Sequence, residues 1–536
     1  MTKERRCIVI PAIKKNAVIP DQLVKKLAGT TLMQRALDVA RGVAPARDII
    51  VVTDSQEIGL ICERNGVRFH YNPDLHFTSL DIVAQMRSIL QELAADYENI
   101  VVYRASCPLL TWMDIEDAWH KFVEQDADCL ITVKSVRHRI WEVTEGRLES
   151  ILSEDESELL VESKALIILR ADALRTGRSS RTIPYFLNDR AMEINSYQDW
   201  WLCERLLARR HVVFVVAGYP AIGMGHIFRS LMLAHEIAHH KITFLCTRES
   251  ELAASNIAAR DYRTRIQKGE LWQDVLALKP DLVVNDMLET DVDYMCHLKD
   301  AGIPVVNFED EGPGAARADL VINALYEDKG QDPRFLRGHR YFCLRDEFVQ
   351  ASRNEFREIP HCLLITFGGT DMPDYTRKTL DAVEPACRER GLDIRVVTGP
   401  GYAHREELES WIASLGNPAI RFEYATNVMS MMMEGVDFAI CSAGRTVYEL
   451  AHMRIPGIVI AQHEREARHT FARARNGFVY MGVMRKFNAP RLQRTFERLA
   501  NDTAWRLELF QRQNRIHFEQ NKAKVIKKIL NLLNKY

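Results

Sequence analysis

The chain has 536 residues, 47% of them hydrophobic and 27% charged, a composition that excludes a disordered, collagen-like or coiled-coil protein. This length is too great for one hydrophobic core and predicts two to four domains. The 71 basic and 73 acidic residues leave a formal net charge of −2 without a long block of one sign. That balance argues against a nucleic-acid-binding protein.

The sequence does not predict a membrane-spanning helix. No apolar run approaches the roughly 20 residues that a span needs, and the nearest, residues 212–225, is interrupted by Gly218, Pro220 and Gly223. The 11 cysteines are scattered singly without a CxxC pair, which is typical of buried thiols in a reducing compartment. We therefore expect a cytoplasmic protein.

The first part of the chain alternates short β-branched runs with helix-length segments. Strands are predicted at 7–13, 49–53, 100–104, 129–133 and 165–169, and helices at 31–41, 80–96 and 199–207. The acidic segment 149–162 has no helical order and predicts an exposed flap. The pair Arg209-Arg210 follows the last helix, so we place the end of a first domain, 1–209, at that point.

The same alternation continues in two further blocks, 210–355 and 356–536. Strands are predicted at 211–217, 242–246, 281–285, 304–308 and 319–322, and then at 361–367, 394–397, 420–423, 438–441 and 457–461; residues 489–536 are helical in pattern. Strands separated by helix-length segments predict parallel sheets with right-handed crossovers, and hence an α/β fold with two similar Rossmann-type blocks. Ligands of such sheets bind beyond the carboxyl ends of the strands.

A glycine-rich loop follows the strand predicted at 211–217. It is the segment Gly-Met-Gly-His-Ile-Phe-Arg at 223–229. Glycines permit a tight turn and the close approach of a ligand, and the helix that follows offers free N–H groups to an anion. His226 stands at the start of that helix, where the positive helix end favours a neutral ring that accepts a proton. The alternative is a packing loop with a capping histidine.

Two more loops of this kind occur in the third block. The segment Ser-Ala-Gly-Arg-Thr-Val-Tyr-Glu at 442–449 follows an apolar strand, and its small residues are suited to cradle a pyrophosphate at a helix N-terminus. Glu449, one turn into that helix, has the chemistry to accept hydrogen bonds from ribose hydroxyls. The segment Phe-Gly-Gly-Thr-Asp at 367–371 opens the block in the same style. A structural turn between strand and helix is the alternative for each loop.

Together these segments resemble a known family. With Asn285-Asp286, Asn323 and the segment 341–348, they make residues 211–485 similar to the UDP-sugar hydrolase of pseudaminic acid biosynthesis, which has a glycosyltransferase-B-like (GT-B-like) fold related to MurG. The resemblance implies that water displaces UDP from an amino-deoxy sugar without a cofactor. His226 would be the general base, with Asp286 as the second catalytic residue.

The resemblance also implies the binding residues. UDP would be held by Gly223, Gly225, Gly369, Ser442, Gly444, Thr446 and Glu449, and the sugar side would include Asn323 and Glu464. Two positions depart from the family: Leu288 stands where a tyrosine is usual, and Glu464-Arg465 where Asn-Gln is usual. A different sugar or a transferase-like reaction therefore stays open.

The first domain resembles a second family. Ile10-Pro11-Ala12, the segment Ser-Cys-Pro-Leu at 106–109 and the segment Glu-Ile-Asn at 193–195 make residues 1–209 similar to CMP-sialic acid synthetases, which have a Rossmann-like nucleotidyltransferase fold. The resemblance implies that Lys14, Lys15 and Ser106 bind CTP and that Glu193 and Asn195 hold Mg²⁺.

The signature of that family is altered in this chain. In this chain, Ala-Ile-Lys-Lys-Asn-Ala at 12–17 stands in place of the family's basic first loop. The family's Gln-Pro-Thr-Ser-Pro-Leu is replaced by a segment that begins with Arg104, and its Asp-Ile-Asp is replaced by Glu-Ile-Asn. Either the domain transfers a cytidylyl group with Mg²⁺, or it has kept the fold and lost the transfer. In the second case it would bind a nucleotide or nonulosonic acid, or form an assembly surface for a homo-oligomer.

One metal motif is set aside. His235, Glu236 and His239 match the HExxH pattern of zinc peptidases, but they lie at the far end of the helix that the loop 223–226 opens, and we interpret them as solvated.

The sequence thus predicts a fused enzyme of nonulosonic (sialic- or pseudaminic-like) acid metabolism that acts on UDP-sugars and carries a cytidylyltransferase-like domain. A GT-B-like glycosyltransferase and a non-catalytic nucleotide-sugar-binding scaffold are the alternatives.

Overall fold

A computed structural model describes residues 5–15, 19–75, 82–136, 141–150, 159–176, 181–187, 189–219, 225–327, 330, 332–426, 428–484 and 486–533. The chain divides into two compact units, the first ending at Arg209 and the second beginning at Arg210.

The first unit alternates strands and helices. Its strands are β1 (Arg6–Ala12), β2 (Lys26–Leu27), β3 (Thr30–Thr31), β4 (Ile49–Thr53), β5 (Arg68–Tyr71), β6 (Asn99–Tyr103), β7 (Cys129–Val136), β8 (Trp141–Thr144), β9 (Arg147–Ser150), β10 (Leu159–Arg170) and β11 (Thr182–Phe186). Its helices are α1 (Leu32–Arg41), α2 (Gln56–Arg64), α3 (Ile82–Gln85), α4 (Arg87–Leu93), α5 (Trp112–Glu124), α6 (Ala171–Thr176) and α7 (Tyr197–Leu207).

Seven strands of the described part of this unit form one sheet, in the order β11-β7-β10-β6-β1-β4-β5. β1 pairs in parallel with both β4 and β6, and its residues are buried on both faces, as in a sheet covered by helices on each side. The carboxyl ends of β6, β1 and β4 therefore share one edge of the sheet.

One strand differs from the predicted parallel arrangement. β10 runs antiparallel to both of its neighbours. The reason is the connection, because the described residues between β7 and β10 contain the hairpin β8–β9 and no helix to carry a parallel crossover.

The predicted flap at 149–162 is correct only in part. Its first residues lie in the hairpin β8–β9, which is exposed throughout and turns Trp141, Val143 and Leu148 to one uncovered face. Residues 159–162, in contrast, pair with β7 as the start of β10, and residues 151–158 lie outside the described residues.

A homo-oligomer formed through this domain stays a prediction.

The second unit contains two α/β halves. The first half has β12 (His211–Val216), α8 (Gly225–Glu236), β13 (Lys241–Cys246), α9 (Glu251–Ala258), β14 (Arg263–Ile266), α10 (Leu271–Ala277), β15 (Leu282–Asp286), α11 (Val292–Asp300), β16 (Val305–Phe308), β17 (Leu320–Asn323), β18 (Phe335–Arg337) and α12 (Asp346–Gln350). The second half has β19 (Cys362–Thr366), α13 (Tyr375–Arg390), β20 (Asp393–Thr398), α14 (Arg405–Leu415), β21 (Ile420–Tyr424), α15 (Met429–Met433), β22 (Phe438–Ser442), α16 (Thr446–His452), β23 (Gly457–Ala461), α17 (Glu464–Ala467), β24 (Phe478–Val483), α18 (Ala489–Asn501), α19 (Thr503–Gln513) and α20 (Asn521–Leu533).

Each half has its own parallel sheet. Over the described residues the strand orders are β14-β13-β12-β15-β16-β17-β18 and β21-β20-β19-β22-β23-β24. β12 and β19 are fully buried central strands, and the glycine-rich loops follow their carboxyl ends. The predicted α/β class with two Rossmann-type blocks after the first domain is confirmed.

The last helix belongs to the first half by packing, although it follows the second half in sequence. Val525, Ile529 and Leu533 of α20 are buried in the same hydrophobic cluster as Phe214 of β12 and Leu233 of α8. Their spacing of four residues puts them on one face of the helix. In the described residues no helix is long and apolar enough to cross a bilayer.

The contribution of α20 is testable by a core truncation. Ile529→Ala should lower the free energy of unfolding of the second unit by about 2–4 kcal/mol, because a side chain that is only 1% exposed leaves a cavity. Chemical denaturation measures the change. Lys528→Ala at the exposed neighbouring position is the control, and an equal loss in both variants would contradict the packing described.

Candidate active site

The two residues predicted as catalytic lie in direct contact. α8 begins at Gly225 and places His226 in its first turn, and Asp286 is the last residue of β15. His226 Nδ1 lies 2.6 Å from Asp286 Oδ1, and the two side chains are buried. Because an ionised carboxylate only accepts hydrogen bonds, Nδ1 carries the proton in this pair and Nε2 is left as the proton acceptor.

A buried arginine fixes the carboxylate. Arg229, one turn after His226, donates from Nε to Asp286 Oδ2 at 2.7 Å and from Nη2 to Oδ1 at 2.5 Å, and Ser230 donates its hydroxyl to Oδ2 at 3.2 Å. Burial alone would raise the pKa of Asp286, but the charge of Arg229 and the hydrogen bonds from Arg229 and His226 outweigh burial and hold that pKa well below its usual range. Asp286 is therefore ionised at neutral pH.

The charge network continues to the second half through Glu309. Glu309, directly after β16, accepts hydrogen bonds from Arg229 and, at 3.0 Å, from Nη1 of Arg445. Burial opposes ionisation of Glu309, but the two arginines lower its pKa. A Cβ added to Gly225 would lie 3.0 Å from Cδ of Arg445. The first residue of α8 and the residue before α16 therefore approach each other between the two halves of this unit.

The backbone beside this network is strained at two non-glycine residues. Leu288, at the position of the family tyrosine, has φ 72°, and Glu309 has φ 51°. Left-handed φ values cost free energy for such residues, and they concentrate at functional sites.

The predicted diphosphate-binding residues of the second half are also close together. Ser442 ends β22, and Thr446 begins α16. Cβ atoms added to Gly368 and Gly444 would lie 3.8 Å and 3.5 Å from Ser442 Oγ, and one added to Gly399 would clash with Gly369 at 2.4 Å. Gly368 and Gly444 thus lie beside the Ser442 hydroxyl, and Gly369 packs against Gly399 in the loop after β20. Gly223 of the other loop lies outside the described residues.

Two titratable side chains form hydrogen bonds with the backbone of Ala443, in the loop between β22 and α16. The backbone amides of Gln462 and Ala443 donate to the Glu466 carboxylate, the first at 2.8 Å, and His469 Nδ1 lies 2.7 Å from the Ala443 carbonyl oxygen. Burial lowers the pKa of His469, so the neutral ring donates to that carbonyl. Burial also raises the pKa of Glu466 to about 7. The sequence prediction missed Glu466, because nothing in its spacing distinguishes it from its exposed neighbour Glu464.

The two residues predicted on the sugar side differ in burial. Asn323 is fully buried at the end of β17 and donates to the Asp310 carbonyl at 3.1 Å, while its Oδ1 has no hydrogen-bond partner within the described residues. Glu464 is exposed, whereas Arg465 turns to the network and donates to the Glu309 carbonyl at 3.2 Å.

Glu449 is engaged within the protein. Arg345 Nε donates to its Oε1 at 3.0 Å, and Arg345 Nη2 lies 2.9 Å from the same oxygen. One carboxylate oxygen of this predicted ribose-binding residue is thus already held by a charged partner.

In the first unit, the predicted Mg²⁺ residues do not fit a divalent cation. Glu193 is paired with Arg104, whose Nη2 lies 2.8 Å from Oε1, and it also accepts a hydrogen bond from Ser106 at 3.1 Å. Asn195 is exposed and carries no charge. A guanidinium on the carboxylate repels a divalent cation, and an amide is a weaker ligand than the carboxylate it replaces.

The predicted CTP-binding lysines differ in their surroundings. They line an open pocket of about 310 Å³ with Pro20, Asp21, Asp54 and Ser55. Lys14 Nζ is paired with Glu57 at 2.6 Å and with Asp21 at 3.2 Å, while Lys15 is exposed.

The zinc-like motif shows no metal geometry. His235 and His239 are exposed, and Glu236 pairs with Lys522. Among the described residues, no group of three or more His, Cys, Asp or Glu side chains is arranged to hold a metal ion.

Comparison with known proteins finds a nucleotidyltransferase family for the N-terminal part of the chain. The model of the MobA-like NTP transferase domain matches residues 21–234, a range that runs past Arg209 into α8. A 3-deoxy-manno-octulosonate cytidylyltransferase from Koribacter versatilis is 33% identical over 17% of this chain and 34% of its own length. The nucleotidyltransferase resemblance is therefore confirmed, and the sialic acid assignment stays a prediction.

Two further relatives cover about half of the chain. An uncharacterized protein from Methanocaldococcus jannaschii is 26% identical over 47% of this chain, and the spore coat polysaccharide biosynthesis protein SpsG from Bacillus subtilis is 27% identical over 48%. The chain spans 56% of the length of the first and 80% of the second.

The solved structures that match this chain are distant in sequence. MurG from Acinetobacter baumannii is 17% identical with a TM-score of 0.44, covering 60% of this chain and 99% of its own. Anabaena HepE in complex with UDP and glucose is 12% identical with a TM-score of 0.41, covering 61% of this chain and 100% of its own. At this distance the likeness assigns no function.

The unusual pKa of Glu466 gives a pH-dependent prediction. Because the folded protein binds this proton more tightly than the unfolded chain, stability falls as the pH rises from about 4.5 to about 7. Glu466→Gln removes the titration, so the variant should gain roughly 2 kcal/mol relative to wild type between pH 5 and pH 8. Denaturation at both pH values measures this gain. With Glu464→Gln as the control, parallel pH dependences of the Glu466 variant and wild type would contradict the prediction.

Proposed function

We propose that the second unit is a nucleotide-sugar enzyme that breaks the bond between the anomeric carbon of an amino-deoxy sugar and UDP, with water as the acceptor. The observation that carries the proposal is the buried pair of His226 and Asp286 at the carboxyl edge of one sheet, where Gly225 at the start of α8 approaches Arg445, the residue before α16 of the other half. In α/β sheets that edge is where ligands bind.

In this proposal His226 is the general base. Nε2 takes a proton from the attacking water while the new carbon–oxygen bond forms at the anomeric carbon, and the bond to the UDP oxygen breaks. Asp286 keeps the proton on Nδ1 and stabilises the imidazolium that forms, since its own charge is fixed by Arg229. The products are the free sugar and UDP.

The leaving group is stabilised from the second half. The Ser442 hydroxyl and the backbone amides of Gly444 and Thr446 would hold the diphosphate, whose developing charge is then met by fixed dipoles in a largely buried site. UDP is a good leaving group, so one base and this stabilisation suffice without a metal ion.

The base assignment is tested by His226→Asn. The rate of UDP release from a UDP-linked amino-deoxy sugar should fall by about 10²–10⁴-fold, because proton removal from water is lost. UDP affinity, measured by calorimetry, should stay within a few-fold of wild type. His235→Asn, at an exposed position of the same helix, is the control. Undiminished release in the His226 variant would contradict its role.

The acceptor is identified by a second measurement. UDP release is followed with the nucleotide sugar alone and after addition of candidate acceptor sugars. Release at full rate in water alone supports the hydrolase. Release that requires an acceptor would show a glycosyltransferase with the same base, and UDP-sugar binding without release would show a scaffold.

A further inference from the structure

A second polar edge lies in the first unit, at the carboxyl ends of β6, β1 and β4. Arg104 follows β6, Lys14 lies two residues beyond β1, and Asp54 follows β4. Since these strands are parallel neighbours, the three residues stand along one edge of the sheet, where an α/β domain binds its ligand. Arg104 and Lys14, however, already have carboxylate partners.

Arg104 forms the more buried of these ion pairs. Nη2 of its guanidinium lies 2.8 Å from Glu193 Oε1, each side chain is only 17% exposed, and Ser106 donates a hydrogen bond to the same carboxylate oxygen. An arginine side chain is charged at every physiological pH, and its planar guanidinium is suited to pair with a carboxylate. Unlike a bound metal ion, it cannot dissociate from the protein. Glu193 therefore carries a permanent counter-ion.

Lys14 is also paired with carboxylates. Nζ lies between Glu57 and Asp21, and the backbone amide of Lys14 donates to Asp54 at 2.7 Å. The hydrogen bonds to Glu57 and Asp21 raise the pKa of Lys14, so its charge is fixed but is balanced inside the protein. A triphosphate entering this pocket would meet the carboxylates of Asp21 and Asp54 and a Lys14 charge that is already paired, and Lys15 would be the exposed cation of the pocket.

We infer that Arg104 is a built-in cation that takes the place of a divalent metal ion in the first unit, which excludes metal-dependent nucleotidyl transfer there. The fold of a nucleotidyltransferase is retained, while the carboxylate that would bind the metal ion is used for an internal ion pair. The inference concerns the first unit alone and does not depend on the function proposed for the second.

The test restores the site and measures metal binding directly. In the full chain, Arg104→Gln combined with Asn195→Asp frees Glu193 and adds a second carboxylate two residues along. Binding of Mn²⁺, read from the loss of the free-ion signal in electron paramagnetic resonance, should tighten by about tenfold or more. Circular dichroism confirms that the variant is folded. Arg170→Gln, which removes an exposed ion pair with Asp126 in the same unit, is the control and should change nothing.

The wild-type protein is expected to bind no metal ion through Glu193. Its Mn²⁺ binding should be unaffected by Glu193→Gln, and it should release no pyrophosphate from CTP and a nonulosonic acid with Mg²⁺. Mn²⁺ binding by wild type that Glu193→Gln abolishes would overturn the inference. So would metal-dependent release of pyrophosphate by wild type, or a folded double variant without a gain in Mn²⁺ binding.

Discussion

A carboxylate with no solvent exposure organises the second unit. Asp286 can stay ionised in the interior only because Arg229 and His226 surround it, and Arg229 in turn requires Glu309. Breaking one member of such a network leaves an uncompensated buried charge, so the members depend on one another. The same requirement fixes the ring of His226, orients the start of α8 and, through Arg445, connects the site to the other sheet.

Much of this fold could be predicted from the sequence, because buried parallel strands are continuous apolar runs and the loops after them are rich in glycine. The pairing of His226 with Asp286 followed only from a family resemblance. The role of Glu309 could not be predicted, since it depends on the approach of two arginines from positions 80 and 136 residues away. Glu466 and the antiparallel β10 were missed for related reasons, as burial and strand direction are set by tertiary packing.

The two units use similar residue types in opposite ways. In the second unit, the ion pairs support a histidine whose second nitrogen remains available for proton transfer. In the first, Arg104 and Lys14 are balanced by carboxylates at the edge where a ligand would bind. A domain can thus keep the sheet order of an enzyme while its charged groups satisfy each other, because sheet order depends on the apolar core and not on these surface pairs.

The return of α20 to the core of the first half limits how the second unit can move. The polypeptide crosses between the two halves once before α12, whose Phe348 packs in the core of the second half, and again before α20, so the halves are joined by two covalent connections. Two connections restrict the relative displacement of the halves more than one connection would. Any displacement of one half would therefore strain both linking segments at the same time.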